Sequence, residues 1–104
     1  MKWAVFICLL AAWIAPPPAQ AQSFNCRYAR SADEVLICQN EHLSNLDVVL
    51  SRTYYRLRNS LYGAARRRLE ASQSRWLASR MDCGRDYACV DRHYQARIRE
   101  LRNY

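Results

Sequence analysis

A chain of 104 residues is expected to form one small domain. Its formal net charge of +7 points to anionic partners, among which nucleic acid is the usual one. Five cysteines in so short a chain make the redox state of its compartment the first question.

Residues 1–21, MKWAVFICLLAAWIAPPPAQA, read as a secretory signal peptide. Lys2 precedes an apolar run from Trp3 to Ala15, then a proline break and the small-x-small sequence Ala19-Gln20-Ala21. The run is short of the roughly 20 apolar residues of a spanning helix, so no transmembrane segment is expected after cleavage. Cys8 lies inside the run rather than at its end and is not read as a lipid-attachment site. The expected mature domain is 22–104, periplasmic or secreted in a bacterium. Export removes nucleic acid from its partners.

The mature stretch has no proline and only Gly63 and Gly84 as glycines, while apolar residues recur at helical intervals. This predicts an all-α fold, a small disulfide-stapled bundle of three to four helices with short connections. Ser31-Ala-Asp-Glu34 has capping-box form and starts a short helix reaching about Cys38. Ser44, with Asp47 three residues on, is expected to start a longer helix with Leu46, Leu50, Tyr54, Leu57 and Leu61 on its apolar face. Gly63 stops or bends it. A third helix carries Leu69, Trp76 and Leu77 and ends near Met81. A fourth begins around Tyr87 and repeats as Val90, Tyr94, Ile98 and Leu101.

Four cysteines remain after the signal: Cys26, Cys38, Cys83 and Cys89. An even number in a short exported chain reads as a disulfide framework. The spacings C-x11-C and C-x5-C fit neither a zinc site nor a C-x-x-C redox pair. Of the three possible pairings the two local ones, Cys26–Cys38 and Cys83–Cys89, are favoured, with Cys26–Cys83 as the long-range alternative. A loop of about 13 residues closed in this way contributes nearly 3 kcal/mol in the chain-entropy model.

Helical phase places Leu69, Gln73, Trp76 and Arg80 on one face, which predicts a buried Arg80. Buried charge requires a paired partner, and Asp47 or Glu34 could supply the carboxylate of an ion-pair cluster. The fifteen arginines are unevenly spread: from Arg52 to Arg80 eight face the single acid Glu70. The middle helices should form a positive lobe centred on Arg66, Arg67 and Arg68, a candidate anion- or partner-binding patch for an anionic envelope polymer or lipid headgroup. Arg52 and Arg56 are expected in solvent.

No nucleophile, base and orienting acid recur at a catalytic spacing, and no cofactor or metal motif is present, so catalysis is not expected. His42 and His93 read as isolated surface or packing residues. Tyr55 and Tyr62 lie off the main apolar face and are candidates for an interface.

Taken together, SFNCRYARSADEVLICQNEHLSNLDVVLSRTYY, QSRWLASRMDCG and ACVDRHYQARIREL resemble the LprI-type lysozyme-inhibitor family of bacterial exported proteins. The matching positions include the four cysteines, Glu34, Leu46, Asp47, Tyr54, Gln73, Trp76, Arg80, Tyr94, Arg97 and Ile98. One departure is that the Arg-Asp pair expected after the tryptophan reads Arg80-Met81-Asp82. The resemblance implies a helical protein-binding module whose partner is lysozyme or another envelope protein, and it carries no inhibitory residue across.

Overall fold

The computed structural model describes residues 23–104, which contain four α-helices, a 3-10 turn and no strand. The expected signal peptide lies outside the described residues. The 3-10 turn, Cys26–Tyr28, is opened by Asn25, whose side chain accepts the Arg27 N–H at 2.9 Å. Then come α1 (Ala32–Gln39), α2 (Glu41–Ser60), α3 (Gly63–Asp82) and α4 (Tyr87–Arg102).

Local chemistry explains each boundary. Glu34 Oε1 accepts from both the N–H and the hydroxyl of Ser31, at 3.2 and 2.8 Å, which closes the expected capping box. A single residue, Asn40, joins α1 to α2. Its N–H donates to Ile37 O, and its side chain accepts the Leu43 N–H at 3.0 Å. Asn40, and not Ser44, is therefore the start signal of α2. Ser44 lies inside that helix and donates its hydroxyl back to Ile37 O at 2.6 Å. α2 ends at Ser60 with Leu61 as its extended C-cap, so Gly63 is not its stop and Leu61 lies past the helix; Gly63, at φ +54°, is instead the residue at which α3 begins.

After α3, Gly84 takes φ +57° and donates its N–H to Met81 O at 3.1 Å. Asp86 then caps α4 by accepting the Cys89 N–H at 3.1 Å. The disulfides are the two local ones, Cys26–Cys38 and Cys83–Cys89, with Cα atoms 5.7 and 5.6 Å apart. The first ties the N-terminal turn to the end of α1; the second clamps the α3–α4 turn.

The helices pack around Ile37, Leu43, Leu50, Leu69, Val90, Tyr94, Ile98 and Leu101, all buried. Leu46, Tyr54 and Trp76 are half-buried at its margin, and Phe24 covers one side. Leu43 extends the apolar face of α2 by one turn, because that helix starts earlier than its interior serine suggests. The core is small, so the cross-links and the buried polar groups carry a large share of the stability.

Gly84 tests the turn chemistry. A Cβ at this position would meet no atom within 4 Å, so only the left-handed backbone resists a side chain. Gly84→Ala should cost about 1–2 kcal/mol in urea unfolding and Gly84→Asn less.

Candidate functional site

Arg80 is only 4% exposed, and Asp33 and Asp47 are 1% and 0% exposed. Its Nε donates to Asp33 Oδ2 at 2.8 Å, and one terminal nitrogen donates to Tyr94 Oη at 3.0 Å. The Tyr94 hydroxyl passes the interaction on, donating to Asp47 Oδ1 at 2.8 Å, while Arg80 itself lies 3.9 Å from that oxygen. The rings of Phe24, Trp76 and Tyr94 surround the guanidinium at 5.5, 5.6 and 5.9 Å. Ser23 closes the far side of Asp47, its hydroxyl donating to Oδ1 at 3.0 Å and its N–H to Oδ2. One buried cation thus gathers all four helices and the N-terminal segment.

The helical phase of α3 gives Arg80 the burial expected of it, and Asp47 is one of its partners. The direct carboxylate is Asp33, not Glu34. Glu34 is turned back onto Ser31 and committed to the helix cap, whereas Asp33 lies one turn before the buried Ile37 and shares its inward face. That i, i+4 relation is the available sequence signal.

Burial opposes ionisation of Asp33, but the Ser31 hydroxyl and the Arg80 guanidinium outweigh it and hold the carboxyl below its ordinary range. Burial, reinforced by Asp47 and only partly offset by Arg80, pushes the Tyr94 phenol up, so it stays a neutral donor. A second buried arginine, Arg97, donates to Gln73 Oε1 at 3.1 Å, to Ser72 Oγ at 2.9 Å and to Glu100 at 3.2 Å. Gln73 therefore serves the α3–α4 contact as a polar acceptor.

Outward from Arg80 opens a groove of about 450 Å3 between the N-terminal segment, α2 and α3. Phe24, Tyr54 and Leu77 give it apolar walls, Glu34 and Glu70 supply carboxylates, and Tyr55 and Met81 stand at its edge, 52% and 58% exposed. Tyr55 is the edge partner of Tyr54, with ring centroids 5.2 Å apart. Burial and the nearby Glu70 push the Tyr54 phenol up. Tyr62, the other candidate interface tyrosine, is 81% exposed at the α2–α3 joint and does not line this groove.

The positive lobe is partly self-satisfied. Arg66 and Arg58 both approach Glu70, at 3.7 and 3.8 Å, leaving Arg67 and Arg68 exposed. The histidines are not isolated. His42 Nε2 lies 2.8 Å from Asp91 Oδ1 and links α2 to α4. His93 packs on the second disulfide, its Nδ1 3.3 Å from Cys83 Sγ and 2.8 Å from the Cys89 carbonyl. Its Nε2 meets Ser79 Oγ at 2.9 Å. The ligand atoms of Cys83, Cys89 and His93 form the one metal-like group among the described residues, but both sulfurs are engaged in the disulfide. No described helix is long and apolar enough to cross a membrane.

Arg80→Ala should destabilise the domain by about 3–5 kcal/mol, because it strands Asp33 and Asp47 without a cation. Arg67→Ala should stay within about 0.5 kcal/mol. Chemical denaturation of both variants reads the contrast; equal midpoints would contradict the buried network.

The lowered Asp33 carboxyl also sets an acid dependence. Below the ordinary aspartate range the unfolded chain binds the proton first, so stability must fall as pH drops through about 4 and beyond. Urea melts from pH 6 to about pH 2 should show this loss, and Asp33→Asn should flatten it.

Comparison with known proteins agrees with this architecture. The model of the family described as "Lysozyme inhibitor LprI" matches residues 26–101. Proteins named Lipoprotein LprI from Mycobacterium tuberculosis and Mycobacterium bovis are 33% identical over 113 aligned residues, covering 97% of this chain. The chain spans 56% of the length of these relatives. No solved structure matches it significantly. The matched region holds both cross-links, Arg80 with its partners Asp33, Asp47 and Tyr94, and the core, and the chain belongs to the LprI lysozyme-inhibitor family.

Proposed function

We propose that the domain is an exported, non-catalytic protein-binding module that inhibits lysozyme. The observation that carries this reading is the family match over residues 26–101, which includes all four helices up to the last turn of α4. Export is supported by the leader-like residues 1–21 and by the relatives' printed name as lipoproteins. The non-catalytic reading is supported by the one Ser–His contact among the described residues, Ser79–His93. Its imidazole Nδ1 faces the Cys89 carbonyl instead of an orienting carboxylate, and Ser79 lies in an exposed helical turn.

The groove beside Arg80 is the docking face we assign to the enzyme. The chain is basic overall, so long-range electrostatics oppose its encounter with a basic lysozyme. The Debye length of about 8 Å at physiological ionic strength confines that repulsion mainly to the association rate. Close contact is then decided locally. Tyr55 and Met81 offer rigid and adaptable apolar contact area, while Glu34 is held by the helix cap and Glu70 is shared with Arg58 and Arg66.

Purified, oxidised protein in molar excess should slow lysozyme turnover of cell walls, and more strongly at physiological than at very low salt. Tyr55→Ala, on an exposed position, should weaken inhibition by about tenfold or more while leaving the melting temperature nearly unchanged. Turnover unaffected by the wild-type protein across the salt range would overturn the reading.

A further inference from the structure

A second cleft, of about 430 Å3, lies between α2 and α4 and shares no residue with the groove beside Arg80. Arg52 and Arg56 reach it from successive turns of α2, and Arg102 from the last turn of α4. All three are exposed, and none has a carboxylate within 4.0 Å among the described residues. No lining residue is acidic. Arg58, Arg66, Arg80 and Arg97 have acidic partners; what sets Arg52, Arg56 and Arg102 apart from the other unpaired arginines is that the three share one cleft.

Arg102 can be accounted for as a cation at a helix C-terminus. Arg52 and Arg56 lie mid-helix, one turn apart, where like charges repel. Leu57 and the buried Leu101 form the floor of the cleft, Thr53 lies between the two arginines, and Val49 is 37% exposed. Guanidinium forks match phosphate oxygens in geometry and charge. A cleft of donors and methyl groups without an acidic acceptor suits a phosphodiester layer over acyl chains.

We propose that this cleft docks the domain on an acidic phospholipid surface, with Arg52, Arg56 and Arg102 on headgroup phosphates and Val49 between the headgroups. The proposal is independent of lysozyme binding, which the other groove serves.

The test separates a built site from net charge. Binding of the wild-type protein is measured on vesicles of phosphatidylcholine alone and of phosphatidylcholine mixed with phosphatidylglycerol. Two variants of equal charge are compared: Arg52→Gln/Arg56→Gln/Arg102→Gln and Arg66→Gln/Arg67→Gln/Arg68→Gln, each checked by thermal melting. The wild type should bind only the mixed vesicles. The cleft variant should bind at least about tenfold more weakly, and the lobe variant within about threefold of wild type. No binding to the mixed vesicles, or equal losses in the two variants, would overturn the proposal. So would tight capture on polyglutamate that depends on the same three arginines, since the ligand would then be a carboxylate and not a phospholipid.

Discussion

The rest of the structure depends on the burial of a single guanidinium. Moving an ion from water into a protein interior costs several kcal/mol, and only closely placed partners offset that cost. Here the set is drawn from every part of the domain: Asp33 from α1, Asp47 from α2, Tyr94 from α4, and Phe24 and Ser23 from the N-terminal segment. Oil-like packing of eight buried apolar residues would tolerate several arrangements of four short helices. The Arg80 network narrows that choice. A helix rotated by a single residue would leave a charge without its counterion, so the network selects the packing even where it adds little net stability. The disulfides act in the complementary way, by restricting the unfolded chain at its two ends.

Much of this is readable from periodicity. The apolar faces of α2 and α4, the four-cysteine framework and the inward phase of Arg80 all emerge from residue spacing, because burial imposes a period of 3.6 on a helix directly. The unreadable part depends on competition between neighbours. Asp33 and Glu34 are adjacent carboxylates; the capping-box form commits Glu34 to Ser31, which leaves Asp33 as the partner, but only the tertiary contact shows that α1 brings it to Arg80. Asn40 ends one helix and begins the next, so the pattern of a cap ahead of an apolar run points to the interior Ser44 instead. Arg97 is a family-motif position whose partner no spacing identifies. Its place beside Gln73 arises from the crossing of α3 and α4, which no local pattern encodes. The contacts of His42 and His93 are tertiary in the same sense.

The candidate site illustrates the same division. Tyr55 lies off the apolar face of α2 by helical phase, and the structure places it on the groove edge; Tyr62 satisfies the same criterion and lies elsewhere. Exposure can be inferred from one helix, whereas convergence needs two. The groove also shares Arg80 with the buried network, so changes at that residue alter fold and surface together. Exposed edge residues such as Tyr55 report on recognition without that entanglement.

The three helix connections differ in how much extra chain each can absorb. Between α1 and α2 there is one residue, and it caps both helices, so an added residue would break a cap on one side or the other. Between α3 and α4 the turn is cross-linked, and the N–H groups of Cys83, Gly84 and Asp86 are committed to preceding carbonyls. Only the joint at Tyr62, with its exposed side chain and no covalent clamp, can lengthen without undoing a neighbour. Among the three connections, loop grafts and internal labels are therefore best tolerated at the hairpin tip between α2 and α3.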